Sequence, residues 1–199
     1  MAIQAAPPFY HPPTQADVVE WLRAISENSD IAIVYYNTYW TGFASSLDFL
    51  GQLVEAPGVA AIKWAAPHHH VFERGLRLYA KRILFIDNQL DFVLSHMHGG
   101  RGINLHPANY FPRWGLKLWD LLQAERYKEA HAEMTRVLAP YYDLSWEICE
   151  VTGGESHLDK LCMELVGLEG GRCRPPTRDI RDQYRDRVRK MLDDCGRPG

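Results

Sequence analysis

Gly58-Val59-Ala60-Ala61-Ile62-Lys63-Trp64-Ala65-Ala66 is an apolar run interrupted by a single ammonium group. Its composition suits a buried parallel strand, with Lys63 at the carboxyl end. Upstream, Ile31-Ala32-Ile33-Val34-Tyr35-Tyr36 is a second continuous apolar, β-branched and aromatic run, expected to be covered on both faces and ending at Asn37. Downstream lie Ile83–Ile86, cut off by Asp87-Asn88, and Gly102–His106, which follows the Gly99-Gly100 break. Ala2–Ala6 supplies a fifth, short run.

Helical patterns separate these runs. Thr14 is a good N-cap with Asp17 near the positive helix end, and Val18, Val19, Leu22 and Ile25 form an apolar stripe. Ser45 or Ser46 can cap a second helix through Leu50 and Leu53, which Pro57-Gly58 stops. Strands alternating with helices mean βαβ units, right-handed crossovers and a parallel α/β sheet. From Trp114 onward the pattern is helical, with stripes such as Leu116, Leu118, Leu121 and Leu122 and breaks at Gly153-Gly154, Gly170-Gly171 and Pro175-Pro176. The expected organisation is a partial β/α barrel over 1–113 and a helical region over 114–199. A complete eight-stranded barrel typically needs ~250 residues. The 199 residues here leave about three strand–helix units uncounted.

Composition narrows the function. A net charge of −3 argues against a mainly electrostatic grip on nucleic acid or anionic membrane. Arg172–Lys190 is arginine-rich, but Asp179, Asp182 and Asp186 are interspersed, which reads as a solvated, ion-paired helix face. Cys149, Cys162, Cys173 and Cys195 lack the paired spacing of a structural zinc site and read as reduced thiols. The start lacks a signal-peptide pattern and no run approaches ~20 apolar residues, so a cytoplasmic chain is expected.

Lys63 is the sharpest candidate. Parallel sheets place ligands at the carboxyl ends of their strands, and burial there disfavours the ammonium and frees an amine for Schiff-base chemistry. The plain alternative is a lysine snorkelling out at a strand end. Tyr36 ends the preceding strand, where a phenol can relay protons to a carbinolamine; the plain alternative is a core tyrosine. His68-His69-His70 follows Pro67 and cannot share one helical face, so a metal site is not expected. His96 and His98 have no carboxylate nearby in sequence and read as surface residues.

Three motifs now carry a resemblance. Pro8-Phe9-Tyr10-His11-Pro12-Pro13-Thr14-Gln15, then Val34-Tyr35-Tyr36-Asn37 closed by Thr41-Gly42, then Gly58 through Lys63 resemble, in order and spacing, the dihydrodipicolinate synthase and N-acetylneuraminate lyase family. Gly99-Gly100-Arg101-Gly102-Ile103 is similar to that family's glycine-rich entry to the last barrel strand, and Lys160 through Leu168 to its C-terminal helix. The resemblance covers nearly the whole chain.

It implies a Schiff-base lyase of class I aldolase type on a parallel (β/α)8 TIM barrel, here the C-terminal five strands plus helices. Lys63 would form an imine with pyruvate or another 2-oxo acid, for aldol or hydratase-aldolase chemistry with an aldehyde, with no metal or organic cofactor. Tyr36 would shuttle protons, and Tyr10 would complete a relay from the same or a neighbouring chain. A homo-oligomer, dimer or tetramer, or a complementing N-terminal segment is the implied partner.

The departures are informative. No Gly-Thr-Thr-Gly-Glu-like turn for the 2-oxo acid carboxylate occurs. The arginine that often precedes Thr-Gly in the loop after the tyrosine is Trp40 here, beside Thr41. An indole cannot replace a guanidinium fork, so an apolar or aromatic acceptor is expected rather than a dicarboxylate precursor. Asn104 falls near the residue whose backbone faces pyruvate, and His106 adds a polar group beside it. The competing expectation is a truncated, catalytically silent barrel fragment with a structural or assembly role.

Overall fold

A computed structural model describes residues 1–8 and 10–196. Phe9, quoted above in the proline-flanked motif, lies outside the described residues. The chain packs as two compact units, Met1–Asn104 and the remainder from Leu105 on. The 1–113 and 114–199 division differs from this by the segment around the 3-10 turn His106–Asn109, which packs with the helices that follow it.

The first unit is a five-stranded, all-parallel sheet in the order β1-β2-β3-β4-β5. Its strands are β1 (Ala2–Ala5), β2 (Ala32–Tyr36), β3 (Val59–Trp64), β4 (Leu84–Asp87) and β5 (Gly102–Ile103). Between them run α1 (Gln15–Glu27), α2 (Leu47–Glu55), α3 (His69–Tyr79) and α4 (Phe92–Met97). Thr14 and Asp17 close a reciprocal capping box on α1, and Ser46 rather than Ser45 caps α2.

Period two decides which residues meet which layer. Ile33, Tyr35, Ile62, Trp64 and Phe85 are all at 0% exposure and pack with Val18, Leu22, Phe49, Leu53, Phe72 and Leu76 of the helices. Trp64 shows how tightly: its indole N–H donates to the Phe72 carbonyl at 3.1 Å, and a Cβ on Gly75 would stand 3.1 Å from the indole ring. The opposite, inner face carries Val34, Tyr36, Lys63 and Ile86, all half-buried, and Leu84, which is 54% exposed. The expectation that Ile31–Tyr36 is covered on both faces is therefore corrected. A continuous apolar run is the composition of a strand lining a barrel interior as much as of a strand between two helix layers, and here only the outer layer is filled.

The second unit holds α5 (Pro112–Gln123), α6 (Tyr127–Thr152), α7 (Ser156–Leu165) and α8 (Arg181–Asp194). Trp114, Leu118, Leu121 and Leu122 are buried, whereas Leu116, read as part of the same stripe, is 65% exposed. One turn of α5 places it away from Leu118 and Leu122. The charged helix α8 is ion-paired as its mixed signs imply, through Arg181 and Arg185 to Glu164, Arg187 to Glu147 and Lys190 to Asp194. Beneath those charges Tyr184, Val188, Met191 and Leu192 are buried. No helix among the described residues is long and apolar enough to cross a membrane.

Candidate active site at the carboxyl ends of the strands

Tyr36 and Lys63 are register partners on adjacent parallel strands, so both side chains leave the inner face at the same height. The Lys63 Nζ stands 4.0 Å from the centroid of the Tyr36 ring, over its face. A cation on an aromatic face is held by the ring quadrupole.

The backbone beyond the strands is pinned by side chains. Asn37 donates its backbone N–H to the Lys63 carbonyl at 3.1 Å and its Nδ2 to the Ala65 carbonyl at 2.6 Å. Its Oδ1 accepts from the Ser45 hydroxyl at 2.8 Å, and Ser45 also pairs with the Tyr35 hydroxyl at 2.9 Å. Burial pushes the Tyr35 phenol well above its ordinary range, so that hydroxyl stays protonated. Asn37 and Ser45 are buried and all these partners are internal, which makes the rim rigid.

After Tyr36 the chain makes the 3-10 turn Tyr39–Thr41, ended by Gly42 at φ +99°, a conformation that favours glycine. Thr41 is committed to this turn, its hydroxyl pairing with Thr38 Oγ1 and donating to the Thr38 carbonyl, both at 2.8 Å. Trp40 is 52% exposed and meets Tyr36 edge-to-face at 5.8 Å between centroids, and Tyr39 edge-to-face at 5.0 Å. Tyr36, Tyr39 and Trp40 thus form an aromatic wall.

Asn88 was not singled out by the sequence, yet its Nδ2 donates to the Tyr36 hydroxyl at 3.4 Å. It sits in the turn after β4, where its backbone N–H donates to the Trp64 carbonyl at 2.9 Å. The Asp87-Asn88 pair that ends the apolar run was the available signal. Asn104 is half-buried just past β5 and donates its backbone N–H to the Asp87 carbonyl at 2.8 Å.

The other candidates are placed differently. Tyr10 is 86% exposed, its ring edge-to-face with His11. His106 belongs to the helical unit, where its Nδ1 lies 2.8 Å from Asp159 Oδ2 and its ring stacks on Tyr141 at 5.9 Å. The Tyr141 hydroxyl donates to Asp159 Oδ1 at 2.7 Å, and burial together with that carboxylate holds this phenol far above its ordinary pKa. His98 does have a carboxylate, Glu73 of α3 at 3.5 Å, and His69 pairs with Asp91 at 3.0 Å. The His98 partner is distant in sequence and reaches it through the packing of α3 against α4. No metal-binding cluster of His, Cys, Asp or Glu occurs among the described residues, and the four cysteines are free.

Comparison with known proteins bears on this arrangement. The pattern of the Dihydrodipicolinate synthetase family matches residues 1–195. The 4-hydroxy-tetrahydrodipicolinate synthase of a Synechococcus species is 29% identical over 95% of this chain and 60% of its own length. An uncharacterized DapA-like lyase of Thermococcus onnurineus is 26% identical over 94% of this chain and 64% of its own. The chain thus spans roughly three fifths of the curated relatives it matches. Among solved structures, dihydrodipicolinate synthase from Acinetobacter baumannii complexed with pyruvate superposes with a TM-score of 0.80 at 21% identity, over 98% of this chain and 66% of that one. N-acetylneuraminate lyase from Mycoplasma synoviae superposes with a TM-score of 0.78 at 22% identity, over 97% and 64%. These two likenesses concern the fold.

Proposed function

The chain belongs to the dihydrodipicolinate synthetase family, whose members include lyases, and from that premise we propose that it supplies the imine-forming half of a class I aldolase-type site. The single observation carrying the proposal is Lys63 Nζ over the Tyr36 ring at 4.0 Å, at the carboxyl ends of neighbouring strands.

In this reading the Lys63 amine adds to the carbonyl carbon of pyruvate or another 2-oxo acid, forming a carbinolamine. Tyr36 passes a proton to the carbinolamine oxygen, which leaves as water, and the imine results. The imine draws electrons from the adjacent carbon, which then gives up a proton and attacks an aldehyde. Hydrolysis returns the lysine. The bond formed is carbon–carbon, and the reverse sequence cleaves it. The reactive centre is the lysine itself, so no organic cofactor enters these steps.

Trp40 supports the acceptor class. An exposed indole beside Tyr36 offers apolar and π contact to an aromatic or apolar aldehyde. Tyr10, exposed as it is, suits a role completed by a neighbouring chain in a homo-oligomer. The test is incubation with pyruvate and cyanoborohydride followed by digestion and mass spectrometry. A reduced pyruvyl adduct on Lys63 is expected; folded protein with an unmodified Lys63 would overturn the proposal.

A second reading has its own observation. The inner sheet face is only half-covered, with Leu84 54% exposed, which favours a silent fragment that serves assembly. Under it the sheet binds a further polypeptide and forms no adduct.

A further inference from the structure

Two side-chain amides lie just beyond the row that holds the amine, and the chemistry above does not use them. Parallel register aligns Tyr36, Lys63, Ile86 and Gly102 across β2, β3, β4 and β5. Gly102 shows that β4 and β5 present these positions to one face, since a Cβ there would stand 3.0 Å from Ile86 Cγ1. The ladder continues past the strand ends: the Asn88 backbone N–H donates to the Trp64 carbonyl at 2.9 Å, and that of Asn104 to the Asp87 carbonyl at 2.8 Å. Side chains alternate between the faces of a strand. Asp87 is turned to the helices with 1% exposure. Asn88 and Asn104, which follow the register pair Asp87 and Ile103, therefore return to the inner face, one position nearer the carboxyl ends than Ile86 and Gly102.

Neighbouring strands lie about 4.8 Å apart, so the two amides stand side by side at a spacing that one carboxylate bridges by accepting an N–H from each. Asn88 is tied to the reacting groups: its Nδ2 donates to the Tyr36 hydroxyl at 3.4 Å, on the ring whose centroid lies 4.0 Å from Lys63 Nζ. An amide nitrogen carries two hydrogens, which leaves one for a ligand. Asn104 is half-buried, and its side-chain amide has no hydrogen-bond partner among the described residues. The inner positions around the pair, Ala65, Ile86 and Gly102, offer no side-chain donor.

We propose that Asn88 and Asn104 form a carboxylate subsite, which makes the compound that meets Lys63 a 2-oxo acid in preference to a plain ketone or a 2-oxo amide. The proposal rests on the Schiff-base reading of Lys63. In a 2-oxo acid the carboxylate carbon is bonded directly to the carbon the amine attacks, so a carboxylate seated on the amide pair brings the keto carbon toward the amine and the Tyr36 hydroxyl. Neutral donors hold the anion without setting a second cation beside the lysine.

The experiment has two arms on the full chain. In the first, the side-chain amide signals of Asn88 and Asn104 are followed by NMR as pyruvate, and separately pyruvamide, is added. Both signals should move saturably with pyruvate, and the midpoint with pyruvamide should lie at least about tenfold higher. In the second, Lys63 adducts are trapped with cyanoborohydride over a range of pyruvate and pyruvamide concentrations. Asn104→Asp replaces the donor by a carboxylate of the same shape. It should raise the half-saturating pyruvate concentration about ten- to a hundredfold, as loss of a hydrogen bond to a charged group does, and shrink the preference for pyruvate over pyruvamide by the same factor. Asn88→Asp should do likewise and also slow trapping of both compounds, because its carboxylate accepts the Tyr36 proton. Amide signals that ignore pyruvate, or an unchanged preference in folded Asn104→Asp, overturn the proposal. Where Asn104→Asp does not fold, the titration of the native chain decides. Absence of an adduct with either compound defeats the Schiff-base reading instead, and the amide titration still decides the subsite.

Discussion

The Lys63 amine rests on the face of the Tyr36 ring, 4.0 Å from its centroid, because parallel register sets the two residues side by side at the same strand height. This separates the contributions of the ring and the hydroxyl. Tyr36→Phe keeps the surface that seats the amine and removes the hydroxyl to which the proposed chemistry assigns proton transfer. General acid–base contributions are about 10²–10⁴-fold. Tyr36→Phe should therefore slow adduct formation by roughly that factor while the adduct still forms on Lys63, and Lys63→Ala should abolish it. Time courses of trapped adduct in the three chains check this. Equal rates in native and Tyr36→Phe chains would remove the tyrosine from the mechanism.

Asp87 also carries a stability signature. Its carboxyl lies at about 7 in the folded chain and near 3.9 when unfolded, so the folded state binds the extra proton. The sign follows from linkage: stability is highest below about pH 4, falls as pH rises through the interval up to about 7, and is level beyond it. The loss amounts to at most about 4 kcal/mol. Asp87→Asn should be more stable than the native chain above pH 7 and lack this slope. Urea midpoints at pH 5 and pH 8 measure it; a native chain more stable at pH 8 than at pH 5 while Asp87→Asn shows no change would reverse the assignment.

Much of this was legible in the sequence, for definite reasons. The five apolar runs announce five strands because parallel strands are long in β-branched and aromatic residues, and Thr14 with Asp17 announces the start of α1 because a capping box is local chemistry. Tyr36 and Lys63 could be paired because each ends its run. Asn88 against Tyr36, Glu73 against His98 and Asp159 against His106 could not, since each joins side chains that only the assembled fold brings together. The open inner face was hidden as well. Alternation is lost when both faces of a strand are apolar, so Val34 and Ile33 look alike in sequence although one is half-buried and the other fully buried. In α8 the reverse holds, because Tyr184, Val188 and Met191 share a buried face that the surrounding arginines obscure.

Trp40 decides the acceptor in the proposed chemistry. Placing a guanidinium there gives a charged aldehyde a bidentate partner and takes the indole away from an aromatic one. A hydrogen bond to a charged group is worth about 1.5–3 kcal/mol, which corresponds to roughly ten- to a hundredfold in kcat/KM. Trp40→Arg should gain by that order for a carboxylate-bearing aldehyde and lose for benzaldehyde, with pyruvate as the common donor. Unchanged selectivity between the two aldehydes would show that Trp40 does not meet the acceptor.

In the helical unit Pro140 lies inside α6 and has no N–H to offer the carbonyl of Arg136, four residues earlier. That carbonyl accepts instead from the thiol of Cys195 at 3.6 Å, and the Arg136 guanidinium donates back to the Cys195 carbonyl at the end of α8. Burial raises the Cys195 thiol, which keeps it a donor. Cys195→Ala should therefore cost about 1–2 kcal/mol, combining a small cavity with an unpaired carbonyl. Pro140→Ala restores a backbone donor to Arg136 and should reduce that cost. A double-mutant cycle on urea midpoints tests the coupling directly. If Cys195→Ala costs the same with alanine as with proline at position 140, the thiol acts through packing alone and does not replace the missing helical hydrogen bond.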